Sequence, residues 1–205
     1  MNPKFNGIVW TGSVLLDVQA PDPAHINPRD IARGLARRYR FGGHTLDDLA
    51  PYSVAWHSLF CEMIADQMGL PVWVRLQALL HDAPEFVLGD MVTPVKCLLR
   101  DYGPLETNIW NATAARFQVP AEFHPAVHEI DALALEVERF HLVAPGAWSP
   151  DPVIPDEWVD VAARWIGFCQ DRAAQAGPLA AALFHSRLAA LLNARDRDNL
   201  EGSLV

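Results

Sequence analysis

Cysteine, basic charge and long apolar runs are scarce in this 205-residue chain, and each shortage excludes something. Its cysteines are Cys61, Cys97 and Cys169, odd in number, unclustered and set in apolar helical patterns. No disulfide framework is expected from them; they read as buried free thiols in a reducing cytoplasm. Sixteen Lys and Arg stand against 25 Asp and Glu, for a formal charge of -9. Arg33, Arg37, Arg38 and Arg40 form the one basic cluster, too small to track a polymeric nucleic acid. Single nucleotides stay compatible, because a local arginine and a metal ion offset their charge. No apolar stretch reaches membrane-spanning length, so no membrane association is expected. The opening MNPKFNGIVW lacks a basic segment followed by a long apolar one, so no signal peptide is expected. Internal repeats and low-complexity tracts are also absent from the sequence.

What is present is a hydrophobic content of 51%, enough for one good core. The run from Val14 to Val18 predicts a short strand or hairpin before residue 27. Helical signals then take over. Asn27-Pro28 starts a helix carrying Ile31, Leu35 and Tyr39 on one stripe, with Gly42-Gly43 as its stop. Ser53 caps a second helix with Val54, His57, Cys61, Ile64 and Met68 along one face, ending at Gly69. Pro71 begins a third, nearly all apolar helix through Leu80. Gly103-Pro104 is read as a break before a helix near 105–117, and a further helix spans about 121–142. The connector APGAWSPDPVIP is a predicted surface loop ahead of two amphipathic segments near 156–173 and 178–195. The expected architecture is mostly α in a single domain over 1–205, with a core over about 28–142 and a C-terminal helical pair over about 156–195.

His81-Asp82 closes the apolar run VWVRLQALLHD and places an imidazole beside a carboxylate. His57 and His81 lie at similar distances either side of the Gly69-Leu70-Pro71 turn, so antiparallel helices can bring the two rings face to face. With Asp131 from a later helix, His57, His81 and Asp82 make a set suited to one divalent metal ion that activates water. An aspartate at the end of an apolar helix is an expensive burial without a cation or hydrogen bonds. Glu85 shares the face of His81 and Asp82 on a continuing helix, where a carboxylate can move protons to or from a leaving oxygen. Asp90 follows at the rim. His124 and His128, four residues apart, are read as a solvated face; His44 lies close upstream of His57; and the seven tryptophans are assigned to core or interface.

The strings RYRFGGHT, YSVAWHSLF, LLHDAPEFVLGDMVTPVK and EIDALALE resemble the HD-domain metal-dependent phosphohydrolases. They are most similar to bacterial 5′-deoxynucleotidases and to phage deoxynucleotide hydrolases of the dATP type. The pattern HDAxExxxGDxxTPVK is far more specific than the His-Asp pair alone. The resemblance implies an HD-type helical bundle with metal ligation by His57, His81, Asp82 and Asp131. It implies proton transfer assisted by Glu85, sugar contact at Asp90, and phosphate and nucleoside contact at Arg40 and Phe41. Lys96 of the TPVK string is within the pattern as either a further phosphate contact or a solvated lysine. Two departures stand out: Phe41 occupies a place where the bacterial enzymes usually carry Trp, and Trp56 precedes the first ligand histidine where Glu or Gln is common. The implied activity is removal of 5′-phosphate from 2′-deoxynucleotides, with triphosphate hydrolysis of dATP as the alternative and a non-catalytic nucleotide-binding module as a third reading. The implied cofactor is one divalent ion among Co, Mn, Zn, Ni, Fe and Mg. The partner is a small deoxynucleotide, the assembly a homo-oligomer, and the compartment the cytoplasm, that of the host if the chain is phage-encoded.

Overall fold

Alternating side chains at the N-terminus give a small antiparallel hairpin, β1 (Ile8–Trp10) with β2 (Leu15–Asp17), in which Val9 faces Leu16. Leu16 points into the core while its strand neighbour Leu15 and the facing Trp10 stay exposed, the half-buried pattern of a period-two strand. The computed structural model describes residues 6–144, 146, 153–172 and 175–202. The hairpin turn is held by a buried carboxylate. Asp30 Oδ2 accepts from Thr11 Oγ1 at 2.8 Å, from Ser13 N at 3.1 Å and from the Ser13 hydroxyl.

Asp30 belongs to α1 (Pro28–Leu35), which Asn27 caps by accepting from Arg29 N, with proline at the first turn where its missing N–H costs nothing. The helix ends at Leu35, seven residues before Gly42-Gly43. Tyr39, expected on its stripe, lies outside it and pairs with Ser53 in an isolated antiparallel bridge. A 3-10 turn over Arg40–Gly43 follows, with Phe41 at φ 58 and Gly42 at φ 62. That change of course carries Arg40 inward, and a continuous helix would not.

Ser53 caps α2 (Val54–Gln67), which is buried almost all round; Gly69, at φ 68, supports the turn into α3 (Val72–Leu80). Two short helices, α4 (Glu85–Leu88) and α5 (Thr93–Lys96), lead to α6 (Tyr102–Phe117). Gly103-Pro104 is thus no break: both fall in the first turn of α6, where a proline displaces no helical hydrogen bond. The next helix, α7 (Pro125–Leu142), starts four residues later than expected, with His124 Nδ1 accepting from Ala126 N at 3.2 Å. His124 is therefore a helix cap, its ring edge-on to Trp73, while His128 is exposed.

Buried Gln77 of α3 fixes where α7 begins. Its amide nitrogen donates to the carbonyls of Pro120 and Glu122, both at 2.8 Å, and its Oε1 accepts from His124 N at 2.9 Å.

The C-terminal segments form α8 (Asp156–Gln170) and α9 (Ala176–Gly202). Rather than standing apart as a pair, α9 packs across α1, α2 and α3, and one hydrophobic cluster runs from Leu16 to Leu191. Buried Glu62 of α2 locks this arrangement, accepting from Arg75 of α3 at 2.8 Å and from Arg187 of α9 at 2.6 Å. The predicted connector loop falls mostly on residues outside the described ones. Cys61 and Cys169 are buried as expected, but Cys97 is exposed, because it follows the single turn of α5 on the surface. No helix of the described residues is long and apolar enough to cross a membrane.

Candidate metal centre

His57 is fully buried on α2, a costly place for an imidazole unless both nitrogens are used. Its Nδ1 lies 2.6 Å from Glu138 Oε1. His81, at the C-cap of α3, has Nδ1 2.9 Å from the Ala78 carbonyl. An acceptor at each Nδ1 places the proton there and leaves each Nε2 lone pair free, and the two Nε2 atoms meet at 3.2 Å. Asp82 Oδ2 is 3.4 Å from both Nε2 atoms. Asp131 Oδ1, from α7, is 3.2 Å from that of His57 and 3.6 Å from that of His81. All four predicted ligands therefore converge.

The separations match a cation. Tetrahedral donors about 2.1 Å from a centre stand roughly 3.4 Å apart, and the separations of the two Nε2 atoms from each other and from each carboxylate run from 3.2 to 3.6 Å. Cys61, one turn beyond His57, adds a sulfur 3.6 Å from His57 Nε2, and His57, Cys61, His81 and Asp131 form a group able to hold an ion. Burial pushes the Cys61 thiol up to about 11. The electrostatics ask for positive charge. Burial alone would lower His81, yet Asp82 and Asp131 hold it above the usual histidine range. For Asp131 burial works the other way, and hydrogen bonds with His57 and His81 outweigh it, keeping the carboxyl far below the usual carboxylate range. A divalent ion held there would supply that charge and leave both imidazoles neutral.

Glu85 lies in the first turn of α4 with only 7% of its surface exposed. Burial, then the charges of Asp82 and Asp90, raise its carboxyl well above the usual range. Its Oε2 and Asp90 Oδ2 are buried without a hydrogen-bond partner among the described residues, and orphan acceptors of this kind suit a ligand. Burial also raises Asp90, against the pull of Arg40.

Arg40 stands at the junction. Its Nε donates to Glu138 Oε2 at 3.0 Å, and its NH1 lies 3.9 Å from both Asp82 Oδ2 and Asp90 Oδ1. Phe41 lies beside it, ring centroid 5.7 Å from the guanidinium carbon, held at a positive φ that a non-glycine residue rarely adopts. Arg40, Phe41 and His44 border a cavity of about 1010 Å³. Lys96 opens instead on a smaller cavity of about 270 Å³ with His81, Asp82, Glu85 and Asp131, and pairs with Glu106 at 2.6 Å. The predicted phosphate contacts are thus divided between two cavities, Lys96 being engaged by a carboxylate.

Glu138 went unnoticed in the sequence although it is wholly buried and bonds both His57 and Arg40. Burial opposes its ionisation, but His57 and Arg40 hold its carboxyl below the usual range. A signal existed: Glu138 lies seven residues after Asp131, on the same face of α7, among the apolar Ala134 and Val137. Trp56, where a polar residue was the common alternative, packs edge-on to Trp165 and Phe168, both centroids at 5.8 Å.

No family model matches the chain. It is 47% identical over 109 residues to an uncharacterized protein of Rhodobacter capsulatus, covering 52% of this chain and 55% of that protein. It is 33% identical over 110 residues to the uncharacterized protein YfdR of Escherichia coli, covering 54% of this chain and 57% of YfdR. The chain thus spans about half the length of the curated relatives it matches. The mostly helical fold and its His/Cys/Asp group are compatible with an HD-like domain.

Proposed function

We propose that this chain is a metal-dependent phosphohydrolase that removes 5′-phosphate from 2′-deoxynucleotides. The observation that carries the reading is that the two Nε2 atoms of His57 and His81 lie within 3.2–3.6 Å of each other, of Asp82 and of Asp131, beside a buried Glu85 Oε2 that has no hydrogen-bond partner among the described residues. Two imidazoles and two carboxylates suit Mn, Co, Ni, Fe or Zn better than Mg. Such an ion, when bound, lowers the pKa of water and neutralises charge on a phosphate oxygen.

The chain's own residues do the rest. Arg40 directs its guanidinium at the phosphate and is held on line by Glu138. Glu85 keeps its proton because it is buried among carboxylates, and that proton goes to the departing 5′-oxygen. Asp90 faces the sugar, and Phe41 with the larger cavity receives the base. Buried Cys61 and Cys169 fit a reducing cytoplasm. Self-association into a homo-oligomer would cover exposed apolar side chains such as Leu98 and Phe140.

The cavity of about 270 Å³ beside Asp82 and Glu85 favours a second reading, triphosphate hydrolysis, because it offers room for further phosphates. Incubation with dAMP, dATP, dGMP and AMP followed by ion chromatography tests both. Phosphate from dAMP with none from AMP supports the first reading; tripolyphosphate from dATP supports the second. No product from any of them, in the presence of Mn, Co or Mg, overturns hydrolysis and leaves a binding module.

A further inference from the structure

On a chain whose net charge is -9, three of the sixteen basic side chains gather around one cavity away from the larger one that Arg40 borders. The cavity, about 490 Å³, is bordered by Trp10 at the end of β1, by Arg33, Arg37 and Arg38, and by Phe86 and Val87 of α4. None of the four metal ligands borders it.

Its walls are fixed in place. Asp30, 3% exposed, grips the hairpin turn through Thr11 and Ser13 and takes Arg33 NH2 at 2.9 Å through its other oxygen. That single carboxylate sets the distance between the hairpin bearing Trp10 and the helix bearing the arginines. Gly12, at φ 116, lets the turn lie directly on the Arg33 guanidinium, which would collide with any Cβ there. At the floor, a Cβ on Gly34 would stand 2.7 Å from Phe86 Cβ, so α1 and α4 meet without slack.

What the cavity presents is an aromatic face with unspent cations. Trp10 is 64% exposed. Among the described residues Arg37 and Arg38 are exposed and have no acidic partner. Guanidinium forks match phosphate oxygens two at a time, and an indole face takes a flat ring. A concave volume of this size suits a small molecule more than the broad surface of a protein partner. The strongly acidic remainder of the surface disfavours a long polyanion.

We infer that this cavity is a second nucleotide-binding site, separate from the metal centre, in which Arg37 and Arg38 hold the phosphate and Trp10 stacks on the base. The inference does not depend on hydrolysis, because occupancy is read by binding alone.

Isothermal titration of the full chain with the non-hydrolysable 5′-phosphonate analogue of dAMP tests it, with inorganic triphosphate and sulfate titrated separately. The wild type should take a second analogue molecule per chain. The double variant Arg37→Glu/Arg38→Glu should weaken that event at least tenfold. Trp10→Ala should weaken the analogue's second event roughly fivefold while leaving inorganic triphosphate at the same site unchanged. All three positions are exposed, and far-UV circular dichroism verifies that each variant folds; Arg37→Ala/Arg38→Ala repeats the test without charge reversal. A single event per chain that both pairs weaken counts against nucleotide binding at the metal centre, whereas analogue binding unmoved by either arginine pair overturns the site. Equal affinity for sulfate, or a single-stranded oligonucleotide bound more tightly than the mononucleotide, also overturns it.

Discussion

Arg40 and His57, seventeen residues apart in sequence, share one buried carboxylate: Glu138 takes Arg40 Nε at 3.0 Å on one oxygen and lies 2.6 Å from His57 Nδ1 on the other. The proposed phosphate contact and a proposed metal ligand are thereby held by the same side chain. Glu138→Gln keeps the shape but removes the charge that fixes the His57 proton at Nδ1. Metal affinity, measured by competition with a chelator, is expected to fall about 10–100-fold. The variant should also show a raised KM from the loosened Arg40. Unchanged metal affinity would mean that the carboxylate does not set the orientation of His57.

Asp82→Ala removes a donor 3.4 Å from both imidazoles. Metal content by mass spectrometry and turnover should fall together, because the fourth donor left to His57, His81 and Asp131 is Cys61, a thiol that burial keeps protonated. A variant that keeps a full equivalent of metal would exclude Asp82 as a ligand.

Glu85→Gln separates the proton from the metal. The side chain lies beyond the four converging donors, so metal content should equal the wild type while kcat falls about 10²–10⁴-fold. Wild-type turnover in this variant removes Glu85 from the mechanism.

Cysteine reactivity should follow burial. Burial holds the Cys61 thiol at about 11, so a thiol reagent at neutral pH should modify exposed Cys97 and spare Cys61 and Cys169 until the chain unfolds. The sign of the accompanying pH effect is fixed. A thiol whose folded pKa is raised keeps its proton where the unfolded chain has lost it, so its contribution is full below about pH 9 and is lost as pH rises towards 11. Denaturation midpoints across that window, compared between wild type and Cys61→Ala, check it. An equal alkaline loss in both would assign the effect to other groups.

The clasp around Glu62 is a stability prediction. Glu62→Ala deprives Arg75 and Arg187 of their shared buried partner. Because both arginines keep some access to water, the loss should be about 1–3 kcal/mol, read from urea midpoints. Metal content at saturation should be unchanged.

Much of this was legible in one dimension, for reasons that differ element by element. The pairing of His57 with His81 followed from equal spacing about a glycine turn, and such spacing survives folding because antiparallel helices share a length scale. Asp131 was reached through its motif. Glu138 is hidden in the sequence because a glutamate on a helix is ordinarily solvated, and only the depth of α7 shows that both its oxygens are used. The sequence places the end of α1 too late because glycine is a strong stop signal. Here the chain leaves the helix at Leu35, forms the Tyr39–Ser53 bridge and turns Arg40 inward. The sequence alone reads His124 as surface because its role, capping α7, is set by where Gln77 holds the preceding loop.

That last bond set reaches further than a cap. Gln77 sits one helical turn before His81 and holds the strand of chain from which α7 departs. Seven residues after the cap His124 the same helix delivers Asp131 to His81. The spacing of the donors is therefore templated by an amide that touches none of them, and a one-residue slip of α7 would have to break three bonds in the interior first. The chain reaches the candidate metal site with its ruler already laid down.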